Sequence, residues 1–146
     1  MIDFLIIFNC LEKKSSQFRG QSLFISELFV HELSIAQNII QIVNSSVEED
    51  KLGLVEMIAL KIGLMSNVLT DSLQFSYASI VENTPLKNSR LDIELLPIKI
   101  RCNDCNEINT TNDFIFSCPN CKSPAINVIG GDEIIISSIH LKDESG

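Results

Sequence analysis

Between residues 31 and 48, apolar side chains recur every three or four positions: Leu33, Ile35, Ala36, Ile39, Ile40, Ile42, Val43 and Val47. That spacing brings apolar groups back to one side at each helical turn. It predicts an amphipathic helix from His31 to about Glu48. The run Asp50-Lys51-Leu52-Gly53 closes it, with Gly53 suited to the positive φ of a terminating turn. The period then shortens to two. Ile58, Leu60, Ile62 and Leu64 alternate with Met57, Ala59, Lys61 and Gly63, which is a strand with one buried face.

A second helix is expected from Asp71. The Asp71 carboxylate is read as its cap, with Gln74 three residues on as in a capping box. Leu73, Tyr77, Ile80 and Val81 supply its apolar stripe, and Asn83-Thr84-Pro85 stops it, because proline cannot continue the hydrogen-bond ladder. Alternation resumes from Arg90 to Ile100, with Leu91, Ile93 and Leu95 on one side and Asp92 and Glu94 on the other. After Gly130-Gly131, the stretch EIIISSIHL reads as a last strand that puts His140 on its polar side.

The order is helix, strand, helix, strand, cysteine-bearing segment, strand. An α+β fold follows, with two helices packed on one face of a small three-stranded sheet. Residues 30–98 and 128–146 form this unit, and residues 99–127 are inserted into it. Residues 1–29 hold apolar patches and the polar stretch EKKSSQFRGQS without a sustained period. They read as an extension outside the working protein, and Cys10 within them as an incidental thiol.

The insert is poor in apolar residues but carries Cys102-Asn103-Asp104-Cys105 and Cys118-Pro119-Asn120-Cys121. A gap of two residues lets both sulfurs of a pair turn toward one point, and two such pairs complete a tetrahedron. Zn²⁺ takes four thiolates at about 2.3 Å in that geometry. Four protein ligands leave no open position for a substrate water, so the site is structural. Binding releases about 10–16 kcal/mol in small zinc peptides near neutral pH, far more than so small an insert gains from packing. Disulfides, free thiols, a redox pair and an iron–sulfur cluster are the weaker alternatives. Arg101 and Lys122 flank the site and would offset part of the charge of a zinc tetrathiolate.

Composition narrows the function. The chain has 146 residues, of which 45% are hydrophobic, enough for a buried core. Its net charge of −8 disfavours nucleic acid and anionic membranes as partners. The apolar run Phe4 to Phe8 is far short of the roughly 20 residues that span a bilayer, and Asp3 sits where a signal peptide carries positive charge. A cytoplasmic protein is expected. No nucleophile–base pair, phosphate loop or open catalytic zinc stands out, so no enzymatic activity is expected.

The stretch VHELSIAQNII, followed by LKIG, SLQF and the paired cysteines, resembles the HypA/HybF family of hydrogenase nickel-insertion factors from Val30 to about Leu141. Members of that family begin Met-His-Glu. The resemblance implies a nickel metallochaperone that delivers Ni(II) to [NiFe]-hydrogenase, with urease as a second destination. It also implies the GTPase HypB and the hydrogenase large subunit as partners, and a monomer or weak homodimer. Carried over residue by residue, His31 is the nickel ligand and Glu32 its acidic neighbour, while residue 30 carries the free amine. A terminal amine, the next backbone nitrogen and an adjacent imidazole form fused chelate rings that suit Ni(II). Residue 30 is Val30 where the family has methionine. Bacteria can initiate at GUG, read as valine inside a gene, so the working chain is expected to start at residue 30. The position at which several members carry a carboxylate is Leu69 here. Two other readings compete: a zinc-ribbon module for protein or nucleic-acid contacts without nickel function, and an enzyme with a catalytic metal held by His31 and His140.

Overall fold

The computed structural model describes residues 6–8, 26–114 and 117–143, with side chains described from His31 onward. Cys10 lies outside the described residues.

The first helix, α1, runs over Ser26–Ser46 and so begins upstream of His31, where the periodicity suggested it would start. Its leading residues Ser26 to Val30 contain neither glycine nor proline, so nothing in them breaks a helix. Ala36, Ile39, Val43 and Val47 are buried along its inner face. Leu33 is not part of that face; it is 40% exposed, and Glu32 takes the inward position instead. Helix α1 gives way to a 3-10 turn at Glu49–Leu54 rather than to a glycine cap. The glycine with positive φ among the described residues is Gly131, not Gly53.

Strand β2 (Val55–Gly63) buries Ile58, Leu60 and Ile62, as the alternation requires. Helix α2 (Thr70–Val81) carries β2 over to the parallel strand β3 (Arg90–Leu96). Leu73, Tyr77 and Val81 fix its inner face. Its N-cap residue is Leu69, with no side-chain cap, so the capping box expected at Asp71 and Gln74 does not form. Asp71 lies exposed in the first turn instead. Thr84 and Pro85 open a short 3-10 turn, in which the Thr84 side chain accepts from the Leu86 amide.

The alternation read from Arg90 to Ile100 is two strands rather than one. Pro97 separates β3 from β4 (Ile98–Cys102), and the two enter different sheets. Leu95, at the open edge, is 52% exposed. Strand β7 (Ile134–Leu141) returns antiparallel to β2. A short strand β1 (Ile6–Phe8) pairs antiparallel with Ile134 to Ile136. The first sheet therefore has the order β1-β7-β2-β3, one strand more than the sequence suggested. Its core is formed by α1, α2 and the helix-facing side of β2, β3 and β7.

The second sheet has the order β5-β4-β6, with β5 at Ile108–Thr111 and β6 at Ile126–Gly130. Its buried apolar side chains are few: Ile98, Ile100 and Cys102, joined by Cys118 from the neighbouring turn. No helix among the described residues is long and apolar enough to cross a membrane.

Candidate metal centre

The cysteine pairs sit on two turns of like construction. The Cys102 amide donates to the Glu107 carbonyl at 3.0 Å, and the Cys118 amide to the Ser123 carbonyl at 2.8 Å. The residue after each second cysteine has positive φ: Asn106 at 57° and Lys122 at 62°. That left-handed step turns the chain back, so both sulfurs of a pair face one point. Side chains then tie one turn to the other. Ser123 donates to Asp104, Asn120 donates to Glu107, and Asn127 donates to Asn103.

The four sulfurs lie within 4.8 Å of one another. Cys102 and Cys121 are 3.5 Å apart, and Cys105 and Cys118 are 3.7 Å apart. A tetrahedron with metal–sulfur bonds of about 2.3 Å has edges of about 3.8 Å. A disulfide would require about 2.0 Å. The cysteines are free thiols at zinc spacing, so the donor set fits Zn²⁺ and not paired disulfides.

Their environments differ. Backbone amides of Cys105 and Asp104 point at the Cys102 sulfur and bring its thiol down to about 7. Cys105 receives the Glu107 amide, but lost hydration and the neighbouring sulfurs outweigh that donor and push it up to about 12. Cys121 receives the Ser123 amide and is nonetheless raised, with Cys102 the largest opposing cause. Lys122 turns its ammonium to the Pro119 carbonyl at 2.9 Å, within the second turn. Arg101 is exposed.

His31 is exposed on α1. Glu32, the next residue, points the other way and is 1% exposed. Its Oε1 accepts from the Leu69 amide at 3.1 Å. Its Oε2 has no partner among the described residues. The Leu69 side chain is 53% exposed and offers no donor atom to a metal. His140 is half-buried, and its Nε2 lies 2.9 Å from Ser138 Oγ. Its neighbour Ile139 belongs to the core beneath the helices, so His140 faces the opposite side of the sheet from α1. The structure thus separates the two histidines and removes the basis for a shared catalytic metal.

Sequence reasoning missed the inward turn of Glu32. The signal was present, since position 32 falls on the same three- and four-residue spacing as Ala36, Ile39 and Val43. The cross-turn bonds from Asp104, Glu107 and Asn103 carried no such signal, because they link residues through the folded turns.

Two helices on a small sheet, with a four-cysteine zinc lobe inserted before the last strand, define a metal-handling protein built around a structural zinc. The family described as "Hydrogenase/urease nickel incorporation, metallochaperone, hypA" matches residues 30–141. A hydrogenase maturation factor HypA from Chloroflexus aurantiacus is 39% identical over 106 residues, covering 72% of this chain and 93% of the relative. One from Desulfatibacillum aliphaticivorans is 34% identical over 115 residues, covering 78% and 88%. The solution structure of the Ni metallochaperone HypA from Helicobacter pylori shares the fold with a TM-score of 0.54 at 20% identity, covering 77% of this chain and 98% of that one. A second solution structure of a HypA protein gives a TM-score of 0.58 at 20% identity.

The chain belongs to the HypA family. It is a nickel metallochaperone of hydrogenase maturation, with zinc as its structural metal and nickel as its cargo. That membership decides against a zinc-ribbon module without nickel function.

Proposed function

We propose that His31 is the nickel contact, and that the α-amine of Val30 completes the chelate in a chain that starts at residue 30. The observation that carries the reading is the exposure of His31 directly after the residue at which the family match begins. An exposed imidazole can load and release an ion without opening the core. In the chain as written, residue 30 lies inside α1, and its nitrogen is an amide rather than an amine. A start at residue 30 supplies the missing donor and leaves residues 1–29 out of the working protein.

The first sheet with α1 and α2 is the nickel-handling unit, and the zinc insert, expected at residues 99–127, is the second sheet with its cysteine turns, from Ile98 to Gly130. The nickel passes to the large subunit of a [NiFe]-hydrogenase, with the GTPase HypB as partner, in the cytoplasm. The zinc has four protein ligands and no open position, which supports a carrier without enzymatic activity of its own.

Nickel titration of the chain beginning at residue 30, beside its His31→Ala variant, tests the contact. The variant is expected to bind at least about tenfold more weakly, as loss of one chelating ligand implies. Equal binding by the two removes His31 from the site. A native peptide spanning residues 1–29 in the mass spectrum of the cellular protein removes the amine.

A further inference from the structure

We infer that Glu32 is a positioning residue, which ties the His31 turn of α1 to the residue that opens α2, and is not itself a nickel ligand. The inference rests on the reading of His31 as the nickel contact.

Successive side chains on a helix diverge by about 100° and do not face each other. His31 looks outward and Glu32 inward, and the inward residue is 1% exposed. While this turn stays helical, both cannot reach one surface ion.

The buried carboxylate already has work at its other end. Helix α2 has no side-chain cap of its own, because its N-cap residue is Leu69. A helix start leaves its first amides unpaired and favours a negative charge nearby. Glu32 supplies an acceptor there from α1, taking the Leu69 amide at 3.1 Å.

The connection from β2 to α2 is anchored along its length. Leu64 donates to the Leu96 carbonyl, Met65 to Gly131, Ser66 to Gly63, and Val68 to Ser66 Oγ. These bonds hold the near end of the loop to the sheets. Glu32 holds its far end to α1. Without it, the turn that carries His31 would lose its polar tie to α2, and the loop its last anchor.

The test uses the zinc-loaded protein beginning at residue 30, as proposed above for the working chain, with Glu32→Gln and Glu32→Ala. Gln keeps an oxygen that can accept the Leu69 amide but has no carboxylate for nickel. Amide exchange at Leu69 is expected to stay slow in E32Q and to rise about tenfold or more in E32A, with Ile58 and Leu60 unchanged in both. Nickel titration is expected to give wild-type affinity for E32Q and weakened binding for E32A. Should E32A fail to fold, E32D, shorter by a methylene, replaces it. Equal loss of nickel binding in E32Q and E32A would make Glu32 a ligand and overturn the inference. Unchanged exchange at Leu69 in E32A overturns it as well. A His31→Ala control that binds nickel like wild type brings down the reading of His31 instead, and the Leu69 exchange then still decides the tie.

Discussion

Gly63 and Gly131 touch backbone to backbone: a Cβ placed on Gly63 would lie 2.1 Å from the Gly131 carbonyl oxygen. That oxygen also accepts the Met65 amide at 2.6 Å, and the Gly63 amide donates to the Glu133 carbonyl at 2.7 Å. Gly131 stands at φ 113°, where a Cβ would meet the Ile98 backbone at 2.9 Å. Glu133 closes the turn by accepting the Gly131 amide at 2.7 Å. Here β2 leaves the first sheet and the chain returns from the zinc lobe into β7. The two glycines therefore fix how the lobes meet.

Gly63→Ala should destabilise the protein by about 1–3 kcal/mol, since the clash is with backbone that cannot rotate aside. Denaturant unfolding should report the loss, while zinc content stays at one ion per chain because no ligand moves. An unchanged midpoint would mean that the lobes do not meet as described.

The Tyr77 hydroxyl gives a smaller and cleaner effect. Ser89 Oγ donates to the Leu86 carbonyl, so its oxygen is free to accept the Tyr77 hydroxyl at 2.6 Å. Burial pushes the Tyr77 phenol up, against the Ser89 hydrogen bond. Tyr77→Phe keeps the ring in the core and loses one bond, so the expected cost is about 0.5–1.5 kcal/mol. A cost well above that range in a melting experiment would show that the hydroxyl does more than bind Ser89.

The elements that packing dictates were legible in the sequence. Ala36, Ile39 and Val43 mark the inner face of α1, and Ile58, Leu60 and Ile62 that of β2, because each buries against the other layer. The zinc ligands were legible too, since chelation depends on short local spacing. What escaped depends on partners distant in sequence. Leu69 is capped by Glu32 from another helix, so no residue near α2 announces its start. The break at Pro97 was hidden by alternation that continues on both sides of it, although the proline itself was visible.

Removing the zinc should unfold one lobe and spare the other. The main core cluster draws no residue from the second sheet, whose buried groups are Ile98, Ile100 and two ligands. That is too little apolar surface to order the lobe without the about 10–16 kcal/mol of metal binding. A strong chelator should abolish amide protection across residues 98–130 and leave protection in α1, β2 and α2. Added zinc should restore it. Loss of protection in both lobes together would make the zinc lobe part of a single folding unit.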